Sequence, residues 1–182
     1  QILLDVYKAV SAYEEDGFLK AMGNAAELII FAALQRARAN PLHVSKLSDS
    51  YGYDIECSGE RIDRIEVKAA SQNTQGKFKI SRNECEKSFH FGAEWRLVQV
   101  VFENRAFVCE RLDASLVHGV RELRQGVLRD LVPTDTRYFR WTESAEVTPP
   151  ADAWTPAEIV LDPKFSTAGF RSNMRHGKLF KG

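Results

Sequence analysis

Two short segments of this 182-residue chain place charged side chains at spacings that could support catalysis. The first contains Asp54, and the second reads Ile65-Glu66-Val67-Lys68. Because side chains alternate across a β-strand, Glu66 and Lys68 are predicted to project from one face. Ile65 and Val67 then face the opposite, apolar side. If the strand that carries Asp54 pairs with this one, a carboxylate from each strand converges beside the Lys68 ammonium.

That convergence suits hydrolysis of a phosphodiester. Two carboxylates can hold a hard divalent cation such as Mg²⁺ or Mn²⁺, which prefers oxygen ligands. The cation neutralises phosphate charge and lowers the pKa of a bound water molecule, and an ammonium group can stabilise charge that develops on phosphorus. We therefore predict Asp54, Glu66 and Lys68 as catalytic residues, with Asp54 and Glu66 as metal ligands. Whether Lys68 also acts as the base depends on its pKa.

Glu27 is a further candidate because it is the only polar residue in the apolar stretch 25–34. On a helix its neighbours three and four residues on are Ile30 and Phe31, so Glu27 lies on an apolar stripe. An unpaired charge there would be costly. We therefore expect Glu27 to face the metal site or Lys68; the other interpretation is a partly exposed carboxylate at the edge of the stripe.

The elements that must position these residues follow from periodicity and turn signals. Helices are predicted over residues 2–13 and 18–39, separated by Gly17 and ended by Asn40-Pro41. A third helix begins at Ser81, with Glu84 completing a capping box. Residues 112–130 are mixed and helical in part. Strands are predicted over residues 43–47, 53–57, 61–69, 77–80, 95–102, 106–111 and 138–141. This order predicts an α/β domain with a mixed central sheet.

Composition divides the chain into three parts. Residues 1–148 are predicted to form the domain, and residues 149–156 a linker rich in proline. Residues 157–182 are predicted as a basic C-terminal arm, either a DNA-contacting tail or a solvated terminus. Because the chain begins at Gln1 and not at Met, we expect either a processed product or a fragment of a longer protein with flanking domains.

Charge and cysteine content bound the class of protein. The formal net charge is zero, from 25 Lys and Arg against 25 Asp and Glu, which neither supports nor excludes a DNA enzyme. No apolar run approaches the ~20 residues of a membrane helix, so we expect no membrane contact. The cysteines are odd in number and widely separated, which favours reduced thiols and a cytoplasmic location.

Asp54 followed by Glu66-Val67-Lys68 resembles the core motif of the PD-(D/E)xK nuclease superfamily, although Tyr53 replaces the proline of that motif. Within the superfamily, approximately residues 20–110 resemble the NO VEIN C-terminal-like domain of many bacterial restriction and defence proteins. The resemblance implies a restriction-endonuclease-like fold, in which helices flank a four-stranded mixed sheet.

The resemblance also implies roles for individual residues. The Val67 carbonyl would add a third metal ligand, and Glu27 would be an accessory acid. Gln72 could extend the site, but a solvent-exposed loop residue is an equal interpretation. Ser81, Asn83 and Glu84 could face DNA, although helix capping explains Ser81 and Glu84 without any function.

The functional hypothesis is a Mg²⁺- or Mn²⁺-dependent endonuclease that cuts DNA in bacterial restriction or phage defence. Cutting both strands needs two active sites, so a homodimer is plausible. The alternative is a module that keeps the nuclease fold without catalysis and binds nucleic acid or protein.

Overall fold

The computed structural model describes the backbone of residues 2–170, and the side chains of residues 16–170 apart from Asp49. The basic residues of the predicted C-terminal arm beyond Phe170 therefore lie outside the described residues. They are Arg171, Arg175, Lys178 and Lys181.

A six-stranded sheet forms the centre, in the order β1-β2-β3-β5-β7-β9. Only the β3–β5 pairing is parallel, and the other four pairings in this sheet are antiparallel. The predicted α/β class with a mixed central sheet is confirmed, with two strands more than the resemblance implies. The strands of this sheet are β1 (Pro41–His43), β2 (Ile55–Cys57), β3 (Asp63–Ser71), β5 (Trp95–Phe102), β7 (Val117–Leu123) and β9 (Trp154–Pro156).

Helix α1 (Ile2–Arg36) covers one face of the sheet. It runs unbroken through Gly17, so the predicted interruption there is wrong. The physical reason is that a glycine within a helix costs only about 1 kcal/mol relative to alanine and still donates its hydrogen bond. The helix ends in a turn where Arg38 and Asn40 adopt positive φ angles of 59° and 48°.

The apolar half of α1 has the length and composition of a membrane span. Within the described residues, the segment Asp16–Arg36 passes that test, contrary to the expectation from the sequence. A core helix passes the same test, and the fully buried Ala26 and Ile30 pack in a cluster with Ile65 of β3.

The other face of the sheet carries α2 (Arg82–Phe91), α3 (Val127–Leu131) and a two-stranded ribbon of β4 (Phe78–Ser81) and β8 (Ser144–Val147). Helix α2 begins at the predicted capping box: Ser81 Oγ accepts from Glu84 N at 3.2 Å, and Glu84 Oε2 accepts from Ser81 N at 2.9 Å.

Three predicted strands differ from the structure. After β1, residues Val44–Lys46 form a 3₁₀ turn. The predicted strand 106–111 is a 3₁₀ turn, Asn104–Val108, because Ala106 and Cys109 bond backward along the chain, and strand β6 (Arg111–Asp113) follows. Residues 138–141 form an exposed loop without a strand partner.

The predicted linker and part of the predicted arm lie within the fold. Strand β9 falls in the linker and pairs with β7, and Pro156 is tolerated because it ends an edge strand. Strand β10 (Ser166–Ala168) pairs with β6. Phe170 is 1% exposed and packs against Phe18, Phe102 and Phe107 at centroid distances of 5.3–5.6 Å.

Phe170→Ala tests whether this C-terminal segment belongs to the core. We expect the free energy of unfolding to fall by about 3–5 kcal/mol, as for other buried phenylalanines. Val160→Ala, at a side chain that is 77% exposed in the same segment, should change it by less than about 0.5 kcal/mol. Chemical denaturation measures both, and an equally small effect of both variants would mean that residues 157–170 are a detached arm.

Candidate active site

Asp54 and Glu66 meet on one face of the β2–β3 pair. Asp54 N donates to the Ile65 carbonyl at 3.0 Å, and Asp54 Oδ2 accepts from Val67 N at 2.8 Å. Ile55 lies opposite Ile65 in the register, and both pack into the core with α1. Strand alternation therefore directs Glu66 to the side of Asp54. The Asp54 charge raises the pKa of Glu66, as expected of neighbouring carboxyl groups.

Lys68 lies between two carboxylates. Its Nζ is 2.7 Å from Glu66 Oε1 and 2.9 Å from Glu84 Oε2, and its side chain is largely buried. The Glu84 oxygen that receives Lys68 is the one that closes the capping box of α2. The sequence predicted the capping role and missed this ion pair, since nothing local to β3 or α2 indicates that Lys68 reaches the helix.

Glu27 joins the cluster from α1. Its Oε2 lies 2.7 Å from His43 Nε2, accepts from Ser45 Oγ at 2.9 Å, and is 3.7 Å from Lys46 Nζ. The Glu27 charge raises the pKa of Asp54, so these carboxyl groups are neighbours. The partners of Glu27 are therefore His43, Ser45 and Lys46, whereas the predicted partner Lys68 pairs with Glu66 and Glu84; a role for Glu27 at the metal site remains a prediction.

The segment after β1 holds Glu27 beside Asp54. Val44 N and Ser45 N donate to the Asp54 carbonyl at 2.9 Å and 3.2 Å, while His43 stacks on Phe31 with the ring centroids 5.3 Å apart. Sequence reasoning passed over His43 because it lacks metal-ligand spacing with the other histidines. The sequence does indicate that Glu27 needs a partner, because an unpaired carboxylate on an apolar helix face is unfavourable. A search for such a partner could have identified His43.

The pKa values of Asp54 and Glu66 are raised because several carboxylates lie close together in a partly buried site. Burial first, and then the charge of Glu27, raise the pKa of Asp54 to about 7, against the opposing effects of the Val67 N–H bond and of Lys68. Burial also raises the pKa of Glu66 well above its ordinary value. The charges of Asp54 and Glu84 add to that rise, which the nearby Lys68 reduces without cancelling.

The pKa of Lys68 shifts in the direction expected of a lysine in ion pairs. Burial alone would lower its pKa, but the charges of Glu66 and Glu84 and the hydrogen bonds to both raise it above the ordinary value. The pKa of Glu66 also rises, although an ion pair at 2.7 Å should lower it. Both directions hold because the carboxylates of Asp54, Glu66 and Glu84 carry more negative charge than the single Lys68 ammonium can offset. With its pKa raised, Lys68 cannot act as a general base near neutral pH.

This donor set fits a hard divalent cation. The carboxylates of Asp54 and Glu66 are oxygen ligands, and Lys68 alone does not balance them and Glu84. Within the side chains that the structure describes, no three His, Cys, Asp or Glu residues form a ready-made metal cage. Two carboxylates with retained water are nevertheless a common way to bind Mg²⁺.

The remaining predicted residues lie around this centre. Val67 contributes its N–H to Asp54, and its carbonyl as a ligand remains a prediction. Gln72 follows β3, and its amide contacts Asn104 N and His118 Nδ1 at 3.3 Å and 3.2 Å. Ser81 caps α2, while Asn83 Nδ2 donates to the Ser50 carbonyl at 3.2 Å. A role for Gln72, Ser81 or Asn83 toward DNA remains a prediction.

Comparison with known families gives one match. Residues 26–109, a little under half of the chain, match the family described as "Protein NO VEIN, C-terminal". The matched region contains Glu27, Asp54, Glu66, Lys68 and Glu84, and ends after β5. Neither a search of curated proteins nor a search of solved structures returned a significant match.

Asp54→Asn should stabilise the metal-free protein. A carboxyl whose pKa rises on folding favours the folded state at low pH and opposes it as pH increases through the folded pKa. The rise of the Asp54 pKa from 3.8 to about 7 sets an upper limit of roughly 4 kcal/mol at pH 8. We expect a higher Tm for Asp54→Asn at pH 8, with the gain shrinking toward pH 4.

Two comparisons complete this experiment. Asp113→Asn should give no gain, because hydrogen bonds from Ser115 lower the pKa of Asp113. Mn²⁺ should raise the Tm of the wild type at pH 8 and leave that of Asp54→Asn nearly unchanged. A lower Tm for Asp54→Asn than for the wild type, at pH 8 without metal, would contradict the claim that repulsion between carboxylates destabilises the metal-free protein.

Glu84→Gln and Ser81→Ala separate the two roles of Glu84. Glutamine keeps an oxygen acceptor for Ser81 N but removes the charge beside Lys68, so the pKa of Lys68 should fall. Ser81→Ala should lower the free energy of unfolding by about 1 kcal/mol and leave that pKa in place. Lysine side-chain NMR across a pH titration measures the pKa, and equal pKa values in the two variants would contradict the pairing.

Proposed function

We propose that this domain is a Mg²⁺- or Mn²⁺-dependent endonuclease that hydrolyses DNA phosphodiester bonds. The observation that carries the proposal is the position of Lys68 Nζ, 2.7 Å from the buried Glu66 carboxylate and 2.9 Å from that of Glu84, on the face of the β2–β3 pair where Asp54 also lies. A hard cation would balance these carboxylates, and an ammonium group would remain to face the phosphate.

Each residue then has a defined part in the chemistry. Asp54 and Glu66 would hold the cation, which when bound supplies charge neutralisation and a more acidic water molecule. Lys68 lies between Glu66 and Glu84. Its positive charge would stabilise the negative charge that develops at the pentacoordinate phosphorus in the transition state. Because Lys68 already carries its proton, the proton released by the attacking water passes to a carboxylate or to solvent. Glu27 is the accessory acid nearest to Asp54.

The biological setting is proposed from the resemblance of approximately residues 20–110 to a domain of bacterial restriction and defence proteins. Restriction or antiviral defence, in the cytoplasm and with DNA as partner, fits that resemblance. A homodimer would supply the second active site for cutting both strands, and flanking domains would supply target selection.

The competing function is a non-catalytic module that binds nucleic acid or protein. Such a module has no use for an ammonium ion held between two carboxylates, so its binding should tolerate loss of Lys68. The effect of substituting Lys68 therefore distinguishes the two functions.

Incubation with plasmid DNA and Mg²⁺ or Mn²⁺ tests the nuclease directly. Lys68→Ala should reduce the cleavage rate by at least about 100-fold, because it removes charge stabilisation at the reacting phosphate. Lys20→Ala, at an exposed position on α1, is the matched control and should cleave like the wild type.

Two outcomes would count against this function. One is metal-loaded, folded wild type that leaves DNA intact, which would favour the binding module. The other is cleavage that persists undiminished in Lys68→Ala, which would point to a contaminating nuclease or a different centre. Parallel digests of methylated and unmethylated plasmid examine selectivity.

A further inference from the structure

An exposed loop beside the catalytic cluster presents aromatic rings to solvent. In this aromatic loop, residues 134–142, Tyr138 is 90% exposed and is the most exposed large apolar side chain of the described residues. Phe139 is 51% exposed. Arg137 and Arg140 flank them, with the Arg137 guanidinium 5.6 Å from the Tyr138 ring. Exposed neighbouring aromatic rings are unusual on a protein surface and mark binding sites.

The aromatic loop is held firmly at its base. Both Asp135 oxygens accept from Arg82 at 2.8 Å and 2.7 Å, and the Arg82 guanidinium lies 5.2 Å from the Trp141 ring. At the tip, Thr136 N donates to the Phe139 carbonyl at 2.8 Å, which closes a tight turn. The exposed rings are therefore presented on a pre-formed turn, which reduces the entropy lost on binding.

The aromatic loop and the catalytic cluster share one helical turn. Arg82, the first residue of α2, holds the loop, and Glu84, two residues on, holds Lys68. Residues two apart on a helix point about 200° apart around the axis. The loop and Lys68 therefore lie on opposite sides of the beginning of α2, so a strand that contacts both must cross the first turn of this helix.

We propose that the aromatic loop binds unpaired bases of the DNA strand next to the cleaved phosphate. This inference rests on the proposed nuclease function. Bases would stack on Tyr138 and Phe139, while Arg137 and Arg140 would contact the phosphates. Of the acidic residues in and beside the loop, Asp135 lies 2.7 Å from Arg82 and 3.9 Å from Arg140, and Glu86 also pairs with Arg82. Arg137 is thus the loop arginine that contacts the Tyr138 ring, and Arg140 would exchange its contact with Asp135 for a phosphate.

The chemistry of stacking decides which form of DNA is bound. Base faces inside a duplex are covered by their neighbours, whereas single strands, frayed ends and extruded bases expose them. The loop should therefore favour DNA with unpaired bases near the cut. It lies outside residues 26–109, so this preference would be a property of this chain beyond the family match.

The test is fluorescence anisotropy of labelled oligonucleotides of about 16 nucleotides, as single-stranded DNA, duplex DNA and single-stranded RNA, in EDTA. Tyr138→Ala should weaken single-stranded DNA binding by roughly 10-fold, and Tyr138→Leu similarly, whereas Tyr138→Phe should retain it. Arg137→Ala with Arg140→Ala should reduce the salt slope by about 1.4. Arg61→Ala, an exposed arginine at the β2–β3 turn, is the control.

The outcomes separate this inference from the nuclease proposal. If the wild type cleaves plasmid DNA but Tyr138→Ala binds single strands as tightly as the wild type, the aromatic loop inference alone fails. Equal losses on duplex and single-stranded DNA would overturn the preference for unpaired bases, and tighter binding of RNA would overturn the assignment to DNA. If the wild type binds none of the three yet cleaves plasmid DNA with Mg²⁺ or Mn²⁺, the aromatic loop inference fails and the nuclease proposal stands.

Discussion

The site depends on one electrostatic constraint: more carboxylates lie around Lys68 than a single ammonium can balance, and one of them, Glu66, is buried. Burial and mutual repulsion raise the pKa values of Asp54 and Glu66, and attraction to Glu66 and Glu84 raises the pKa of Lys68. Such an arrangement opposes folding unless a proton or a cation occupies the centre. Proteins retain strain of this kind mainly at functional sites, where stability is sacrificed for chemistry.

The surrounding fold fixes this arrangement from three directions. Strand β3 supplies Glu66 and Lys68, and its pairing with β2 brings Asp54 alongside. Helix α1 and the segment after β1 hold Glu27, and the first turn of α2 supplies Glu84. The parallel β3–β5 pairing anchors the centre, with Gln99 of β5 buried opposite Lys68 in the register. Glu66, Lys68, Glu27 and Glu84 lie on regular elements, whereas Asp54 lies in the bend just before β2 and is fixed there by backbone hydrogen bonds to Ile65 and from Val44 and Ser45.

The sequence predicts those features of the site that depend on local periodicity. Alternation along β3 predicts the shared face of Glu66 and Lys68, and the apolar stripe of α1 predicts that Glu27 needs a partner. Local periodicity does not predict that His43 is this partner. The two residues are 16 positions apart, and only the packed fold brings the His43 ring to Glu27. The proline-rich segment predicted a linker, yet β9 gains a place in the sheet through backbone pairing, which side-chain composition does not encode.

One oxygen atom ties the integrity of a helix to the state of the site. Glu84 Oε2 serves both the Ser81 N–H and Lys68, so fraying of the first turn of α2 would withdraw the counter-charge that fixes the lysine. Helix ends open more readily than cores. In the proposed nuclease, the lysine would then lose its fixed position before the protein unfolds, so partly folded chains would lack an assembled site.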